Sequence, residues 1–336
     1  MSDRGRLLEF LAAIQVECGG SIPFRRFMAE ALYHPAHGYY SSTIRGIGRR
    51  GDFTTWPARD GLLGRAIERW LAVGGKRHVI EVGAGEGSLA AEVLGAMGWL
   101  RRQRVTYHIV EVSPVLRELQ RQRLRSRRVV WHDDVGSALG AAGGVADIFS
   151  NELVDAFPCR VFERFPVGWC ELAIKVNDRL AEEVWRGCEL PDSTVFDDSL
   201  PLGQRVEVHD SYRDWLAGWR GCWKSGRMLT VDYGGTMPGL YERRSQGTLR
   251  AYAHHQRLTG GDVYAAFGRR DITADVNFSD LIRWGEVLGL VPVGVCDLAG
   301  FLSVRSGDKA IAPRFAAVAE EFLVLEQVVP GDWRSV

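Results

Sequence analysis

A glycine-rich turn that follows an acidic residue is the segment of this sequence with the clearest chemistry. In HVIEVGAGEGSL, residues 78–89, an apolar run ends around Glu81, and Gly83, Gly85 and Gly87 follow at alternate positions. Glycine reaches positive φ values and carries no Cβ, so such a loop lets a ligand lie against the backbone. The helical pattern that follows would add unpaired N–H groups. The segment predicts a strand, a ligand-binding turn and a helix.

The spacing of the glycines separates two classes of ligand. A dinucleotide-binding turn reads G-x-G-x-x-G, whereas this turn reads E-x-G-x-G-x-G, with the acid Glu81 on the strand. The pattern resembles the first motif of class I S-adenosylmethionine-dependent methyltransferases. That resemblance implies that Glu81 and the three glycines hold the methionine end of the cofactor. For the motif alone, a glycine turn without any ligand remains the alternative.

A second strand supplies an acid at the position where a ribose is bound. The run VTYHIVEV, residues 105–112, carries Glu111 near its end, and Ser113 and Pro114 then have the residue types of a helix N-cap and first position. Glu111 lies 24 residues beyond Gly87, where a ribose-binding acid is expected in a βαβ unit. A carboxylate accepts hydrogen bonds from both ribose hydroxyls. A surface acid at a strand end is the alternative.

Two further strands end in polar residues. The third, residues 128–131, leads to Asp133, which we predict in preference to Asp134 to contact the adenine amino group, because an acid at this place in a Rossmann-like fold often does so. A loop acid with no ligand is the alternative. The fourth, residues 146–150, leads into NELVDAFP, which contains Asn151, Glu152 and Asp155. Ligands of open α/β sheets bind at the carboxyl ends of the strands. We therefore predict Asn151 as a cofactor contact, with the two acids beside the reacting group.

Composition and charge exclude several classes of protein. The 336 residues are 46% hydrophobic and carry 42 basic and 42 acidic side chains, so no net field would recruit nucleic acid or a membrane surface. Six cysteines without a C-x-x-C pair indicate reduced thiols rather than zinc or disulfides. Because no apolar run reaches about 18 residues and the N-terminus is no secretory signal, we expect a cytoplasmic protein. A homodimer is left open.

The order of patterns indicates a Rossmann-like α/β core with additions. Residues 1–75 are mostly helical by pattern and form a predicted N-terminal extension, and residues 76–336 form the core. Within the core, residues 159–210 alternate as short antiparallel strands, and residues 236–276 are too polar and glycine-rich to be core. We expect one helix over residues 89–100, and residues 290–302 with the last residues of the chain to complete the sheet.

An ordered set of motifs resembles one family, the MidA-like methyltransferases, whose best-known member methylates a protein arginine. The motifs run from Phe27 to Leu281 and read FMAEALYHPAHGYY, GDFTTWP, EVGAGEGSLAAEVL, YHIVEVSPVLRELQ, SNELVDAFPCRVF, GWCEL, LTVDYGG, GTLRAYAHHQ and DITADVNFSDL. The resemblance implies a seven-stranded class I methyltransferase core with a helical N-terminal extension and inserted lobes, S-adenosyl-L-methionine as cofactor and a protein substrate. It also places Gly51, Asp52 and Phe53 beside the cofactor.

The last motif departs from the family pattern at two positions. Asp275 stands where the family usually has histidine, and Asn277 stands where it usually has aspartate. If either position contacts the substrate, specificity here differs from that of the arginine-methylating relative. A methyltransferase that acts on oxygen, nitrogen or carbon of a small molecule therefore stays an alternative. So does a non-catalytic assembly protein that retains the cofactor pocket, whereas the glycine spacing disfavours an NAD-dependent oxidoreductase.

Candidate catalytic residues follow from the chemistry of methyl transfer. The reaction is an in-line displacement, so the protein mainly orients the nucleophile. A guanidinium is held best by carboxylates, and we predict that Glu152 and Asp155 do this. Helix capping is the alternative role for Glu152.

Three more residues are candidates for the substrate side. Asp232 and Tyr233 end the fifth strand, residues 227–231, and are predicted to line the substrate pocket. A turn acid beside a packed tyrosine is the alternative. His255 matches a family histidine and is a candidate base or substrate ligand, and a surface pair with His254 is the alternative. No metal site is predicted, since one would need Asp271 and Asp275 to converge on that histidine.

Overall fold

The structure is a computed structural model that describes residues 3–43, 61–125, 128–177, 181–253, 256–264, 267–306 and 321–332. None of the described helices has the length and apolar character needed to cross a membrane. The α-helices of this part of the chain are α1 (Asp3–Glu17), α2 (Phe24–Tyr33), α3 (Leu62–Gly74), α4 (Ser88–Ala96), α5 (Trp99–Arg104), α6 (Pro114–Arg123), α7 (Val135–Ala141), α8 (Asp210–Arg220), α9 (Phe278–Val287) and α10 (Leu298–Ser306).

Strands make up most of the remaining regular structure. Their bounds are β1 (Ile22–Pro23), β2 (His78–Val82), β3 (Thr106–Val110), β4 (Val129–His132), β5 (Asp147–Asn151), β6 (Arg160–Phe165), β7 (Gly168–Val176), β8 (Ala181–Gly187), β9 (Arg205–Val208), β10 (Arg227–Gly235), β11 (Arg250–Ala253), β12 (Gln256–Leu258), β13 (Asp271–Thr273), β14 (Val276–Asn277), β15 (Val291–Asp297) and β16 (Phe322–Val328).

The chain divides into two compact units, each built from separate segments. The first unit comprises Met1–Ile44, Val154–Tyr212 and Thr236–Asn277. The second unit comprises Arg45–Leu153, Arg213–Gly235 and Phe278–Val336. Helix α3, which we had grouped with the N-terminal extension, belongs to the second unit, and residues 1–44 belong to the same unit as both insertions.

Seven strands of the second unit lie in one sheet, in the order β15, β16, β10, β5, β2, β3, β4. The five strands from β10 to β4 are parallel, and β16 runs antiparallel to both β10 and β15. The parallel strands bring the ends of β2, β3, β5 and β10 to one edge, because all four run in the same direction. The seven-stranded Rossmann-like prediction is confirmed.

Local signals explain where the helices of this unit begin. Ser113 accepts a hydrogen bond from Leu116 N at 3.3 Å and caps α6, with Pro114 at the first position, as expected. Asp134 caps α7 by accepting from Ser137 N at 2.7 Å. Apolar residues of α3 and α4 pack on the sheet, with Trp70 and Val93 fully buried.

The first unit is largely antiparallel. Strand β7 pairs with β6 and β8, and β6 pairs with β9, which confirms the antiparallel interpretation of the first insertion. The N-terminal segment adds β1 to the same sheet through the pairing of Ile22 with Ile174. The second insertion forms a sheet in the order β12, β11, β13, with Ala251 and Ile272 buried, so its polar composition concealed a small core.

Two predicted elements differ from the structure. The single helix expected over residues 89–100 is interrupted: α4 ends at Ala96, Met97 is extended, and α5 begins at Trp99 after Gly98. The last predicted strand stops at Asp297, and residues 298–306 form α10. In both places an apolar run continues across a boundary, and periodicity alone does not locate the turn.

Candidate functional site

The glycine turn has the backbone that its sequence predicts. Gly83, Gly85 and Gly87 have φ values of 70°, 53° and 78°. A Cβ on Gly83 would lie 2.8 Å from Leu153 Cδ1. The turn is closed by a hydrogen bond of 2.8 Å from Gly87 N to Ala84 O. A side chain at any of the three glycine positions would therefore be strained by the positive φ, and at Gly83 it would also displace the end of the Leu153 side chain.

Glu81 lies inside the sheet beneath this loop. Glu81 is only 3% exposed, and its Oε2 accepts a hydrogen bond of 2.5 Å from the Tyr107 hydroxyl. The pKa of Glu81 is raised to about 8: burial is the main cause, the Tyr107 hydrogen bond opposes it, and the nearby carboxyls of Glu111 and Glu92 add to the rise. The acid of the motif is thus a protonatable group fixed by a neutral donor.

Glu111 is held at the end of β3 by two donors. Ser113 N donates to Oε1 at 2.9 Å, and Gln120 Nε2 donates to Oε2 at 3.1 Å. Burial raises the pKa of Glu111, and these two bonds oppose that rise. Both carboxylate oxygens therefore have fixed orientations, which suits a group that binds a diol.

Gln120 is a site residue that sequence reasoning missed. Its amide nitrogen also donates to Gly85 O at 2.7 Å, and its Oε1 accepts from Trp131 Nε1 at 3.0 Å. The side chain is fully buried and joins the glycine loop to Glu111. The available signal was a polar residue four positions after the buried Leu116, on the inward row of α6.

The two acids after β4 have separate roles. Asp133 Oδ1 accepts an ion-pair hydrogen bond of 2.6 Å from Arg117 Nη2, and its side chain is 86% exposed. Asp134 is the N-cap of α7. The Asp134 side chain is thus used as a helix cap, and the contact of Asp133 with an adenine amino group stays a prediction.

Glu152 and Tyr233 meet at the ends of β5 and β10. The Tyr233 hydroxyl donates to Glu152 Oε2 at 3.3 Å, and Asn151 Nδ2 donates to Oε1 at 3.2 Å. Glu152 has φ 50°, an uncommon value for a residue other than glycine. Such backbone conformations concentrate at functional sites. Two side-chain donors thus orient the Glu152 carboxylate, and the backbone of Glu152 itself is strained.

Asp232 has a different environment from its neighbour. It is fully buried, and its carboxylate accepts from Leu153 N at 3.1 Å and from Tyr233 N at 2.9 Å. These bonds fix the chain on both sides of the Glu152 and Tyr233 pair. The structure brings Tyr233 to the candidate site and uses the Asp232 carboxylate for backbone donors.

Asn151 has an atom available for a ligand. Its Oδ1 is buried, and within the described part of the chain it has no hydrogen-bond partner. A buried acceptor without a partner is costly and points to a ligand or a water molecule. This atom, the glycine loop that begins at Gly83 and the oriented Glu111 carboxylate fit a ligand with an amino-acid end and a ribose.

Asp155 belongs to the first unit, although it follows Glu152 by three residues. It is 7% exposed, and its Oδ2 accepts a hydrogen bond of 2.8 Å from Thr273 Oγ1. Burial raises the pKa of Asp155, Arg250 lowers it and Asp275 raises it. Its role in binding substrate stays a prediction.

The two residues that depart from the family pattern both make polar contacts within the first unit. Asp275 Oδ1 accepts from Arg250 Nη1 at 2.5 Å, and its other oxygen pairs with Arg244. Asn277 Nδ2 donates to Thr194 Oγ1 at 2.9 Å. Asp275 and Asn277 therefore both take part in polar contacts inside the protein.

Four predicted residues, Gly51, Asp52, Phe53 and His255, lie outside the described residues. Of the acids considered beside His255, Asp271 accepts a hydrogen bond of 2.9 Å from the Tyr40 hydroxyl. The described residues contain no group of three or more histidine, cysteine or acidic side chains that could hold a metal.

Comparisons with known proteins identify the family of this chain. Residues 62–296 match a family model of S-adenosyl-L-methionine-dependent methyltransferases, Methyltransf_28. Protein arginine methyltransferase NDUFAF7 of Mus musculus is 28% identical over 318 residues, 83% of this chain and 70% of that protein. Its Homo sapiens counterpart is 27% identical over 323 residues, 83% and 69% of the two chains.

Solved structures agree as well. A Burkholderia thailandensis protein crystallised with S-adenosyl-homocysteine aligns with a TM-score of 0.81 and 28% identity, covering 97% of this chain and 92% of that one. The fold, the cofactor and the family resemblance inferred from the sequence are confirmed. The chain belongs to the family of S-adenosyl-L-methionine-dependent methyltransferases that this model describes.

Proposed function

We propose that this chain methylates an arginine side chain of a protein. The names of the mouse and human relatives, which are protein arginine methyltransferases, support this choice of substrate. When bound, S-adenosyl-L-methionine supplies a methyl group on a sulfonium, from which a nucleophile displaces it. The residues of the chain must hold that nucleophile in line and keep water away.

The observation that carries the proposal is the geometry of Glu152. Its carboxylate lies at the carboxyl end of a central parallel strand, where ligands of such sheets bind. Tyr233 and Asn151 each donate a hydrogen bond to one oxygen of this carboxylate. A carboxylate with a fixed plane can receive two parallel N–H groups of a guanidinium.

A preorganised carboxylate is suited to an arginine side chain that is cationic when it binds and releases one N–H proton when its nitrogen takes the methyl group and the sulfonium becomes a thioether. Coulombic attraction holds the guanidinium, and the two hydrogen bonds set its orientation. The neutral Tyr233 and Asn151 groups restrict the carboxylate without neutralising it. This is why we assign the orienting role to Glu152 ahead of Asp232, whose carboxylate is used by backbone N–H groups.

The proposal is tested by incubating the purified protein with methyl-labelled S-adenosyl-L-methionine and a lysate of the host cell. We expect label in a protein band and recovery of methylarginine after hydrolysis. The matched control is Glu152→Gln, which preserves size and removes the charge. We expect it to lose most transfer while S-adenosylhomocysteine still raises its melting temperature.

Two outcomes would contradict the proposal. Label confined to small molecules would indicate a small-molecule methyltransferase of the same fold. Equal transfer by Glu152→Gln would remove Glu152 from the orienting role.

A further inference from the structure

Arg117 joins the ends of two neighbouring strands in the second unit. It lies on α6, and its guanidinium donates to the backbone carbonyl of Glu111, through Nε at 3.0 Å and also through Nη2. The same Nη2 donates to the His132 carbonyl at 3.1 Å. Glu111 follows β3 and His132 is the last residue of β4. One side chain therefore fixes the spacing of both strand ends.

Asp133 provides a third acceptor for this guanidinium. Its Oδ1 accepts from Arg117 Nη2 at 2.6 Å, with the Asp133 side chain 86% exposed and that of Arg117 19% exposed. An ion pair with one partner in solvent adds little to stability, because water screens the charges and ordering the exposed side chain costs entropy. The main effect of this pair is therefore on orientation: it restrains an acid that would otherwise rotate at the strand end.

The second carboxylate oxygen of Asp133 is available to a ligand. Within the described part of the chain, the side-chain hydrogen bond of Asp133 is made by Oδ1. Asp134, the other acid after β4, uses its side chain to cap α7. An ionised carboxyl accepts hydrogen bonds and donates none. The end of β4 thus presents an acceptor whose orientation is set by Arg117.

The order of the strands indicates which part of the cofactor meets this acceptor. Strands β2, β3 and β4 are neighbours in the sheet and run parallel. The glycine loop after β2 suits the amino-acid end of S-adenosyl-L-methionine, and Glu111 after β3 suits the ribose. The amino-acid chain and the base are attached on either side of the ribose, so a cofactor that lies along this edge brings its base to the end of β4.

Hydrogen bonds hold the end of β4 against the ribose-binding acid. Glu111 N donates to His132 O at 3.3 Å, and Asp133 is the next residue. Ser113 N donates to Glu111 Oε1 at 2.9 Å, and Arg117 N donates to Ser113 O at 3.0 Å. The ribose-binding acid, the start of α6 and the Arg117 side chain are therefore parts of one network, which fixes Asp133 relative to Glu111.

We propose that Arg117 is a positioning residue for the adenine end of the cofactor. It holds the Asp133 carboxylate so that the second oxygen accepts an N–H of the adenine 6-amino group, and together the two residues set a preference for purines that carry this group. The inference goes beyond the proposed function, because it concerns the cofactor and is independent of the methyl acceptor. It involves binding only, with no transfer of a proton or a group.

The test measures selectivity for the amino group. The Kd of S-adenosylhomocysteine is compared by calorimetric titration with the Kd of its 6-deamino analogue, in which hydrogen replaces the amino group. We expect the parent chain to bind the analogue about tenfold or more weakly, because a charge-assisted hydrogen bond is lost. The ratio of the two Kd values is unaffected by a change that weakens both compounds equally.

Arg117→Met keeps a long side chain and removes the donors. We expect it to weaken binding of both compounds, because its bonds to the two carbonyls are lost, and to lower the Kd ratio to about twofold. Arg117→Lys retains a charged N–H donor and should keep part of the ratio. Arg121→Met is the matched control on the same helix, because Arg121 is exposed and pairs with Glu118 at 3.9 Å. Its ratio should equal that of the parent.

Asp133→Ala tests the acid itself. The side chain is exposed, so the change removes no buried contact and the variant should fold. We expect its Kd ratio to fall to about twofold as well. Adding Arg117→Met or Arg117→Lys to Asp133→Ala should then leave the ratio unchanged, because residues that act through one another do not have additive effects. This comparison separates the orientation of Asp133 from the effect of Arg117 on the strand ends.

Several results would overturn the inference. A ratio near one in the parent, or a parental ratio in Asp133→Ala, would mean that the amino group does not meet Asp133. A parental ratio in Arg117→Met, or in both Arg117→Lys and Arg117→Gln if the methionine variant does not fold, would make Arg117 a clamp of the strand ends only. A further fall in the double variant would mean that Arg117 acts without Asp133.

The outcome is independent of the arginine proposal. The titrations use no methyl acceptor, so a negative result here leaves the proposed methylation of arginine as it stands. A lysate experiment without methylarginine would likewise leave the role of Arg117 intact.

Discussion

The Tyr107 hydroxyl donates a hydrogen bond of 2.5 Å to the Glu81 carboxyl, inside the sheet and below the glycine loop. Both residues are almost completely buried. The acid that marks the motif in the sequence is thus anchored by a residue of the neighbouring strand, and its charge state is linked to the stability of the fold.

The first prediction concerns the pH dependence of this stability. The pKa of Glu81 is raised to about 8, from about 4.3 in an unfolded chain. Between these values the folded protein holds a proton that the unfolded chain has released. The free energy of unfolding therefore has its full contribution from Glu81 below the pKa of the unfolded chain. That contribution falls as pH rises toward 8, by up to about 1.4 kcal/mol per pH unit.

Glu81→Gln tests this because the amide stays neutral and can still accept from Tyr107. We expect the free energy of unfolding of the variant, relative to the parent, to increase steadily from pH 5 to pH 8. Urea denaturation at several pH values measures it. A difference that is independent of pH would show that Glu81 does not titrate as stated.

The second prediction concerns the glycine loop. Gly83→Ala places a Cβ 2.8 Å from Leu153 Cδ1 at a φ of 70°, so we expect a loss of about 1–3 kcal/mol in stability and of most of the melting-temperature rise caused by S-adenosylhomocysteine. Gly95→Ala is the control, because its Cβ meets nothing within 4 Å on α4. It should stabilise the chain by up to about 1 kcal/mol. Equal effects of the two variants would contradict a specific role for Gly83.

The third prediction concerns Gln120, which joins the loop to the ribose-binding acid. Gln120→Leu removes its bonds to Gly85 O and Glu111 Oε2. We expect the Kd for S-adenosylhomocysteine to rise about 10–100-fold, equivalent to roughly 1.4–2.8 kcal/mol. Gln122→Leu, on the exposed side of α6, should leave the Kd unchanged in the same calorimetric titration. A normal Kd in Gln120→Leu would make the residue a packing element only.

The fourth prediction concerns the strained backbone at Glu152. Glycine tolerates the observed φ of 50°, so Glu152→Gly should cost little stability or add up to about 1 kcal/mol. Methyl transfer should nevertheless be lost, because the carboxylate is gone. A stable and active Glu152→Gly variant would show that the strain serves only the turn.

The elements that repeat locally were predictable from the sequence. Strands β2, β3 and β5 were identified from short apolar runs, and Glu111 and Asn151 from their positions at strand ends. Glycine spacing identified the loop because each positive φ value restricts the choice of residue locally. The Rossmann-like α/β core then followed from the alternation of strands and helices.

Contacts between distant segments were not predictable in this way. Gln120 reaches Gly85, 35 residues away, and the carbonyl of Asp155 is shared by His209 and Ala274. β1 joins the sheet of the first insertion through Ile174. Each of these contacts depends on tertiary packing, which leaves no periodic signal in the local sequence.

The most direct test of the central claim is the identification of the methylated atom. The parent chain and Glu152→Gln are incubated with trideuteromethyl S-adenosyl-L-methionine and host lysate, and the labelled proteins are digested and sequenced by mass spectrometry. We predict a heavy methyl group on the guanidinium of an arginine, formed by the parent and strongly reduced in the variant. Heavy methyl only on another residue type, or only on small molecules, would contradict the account.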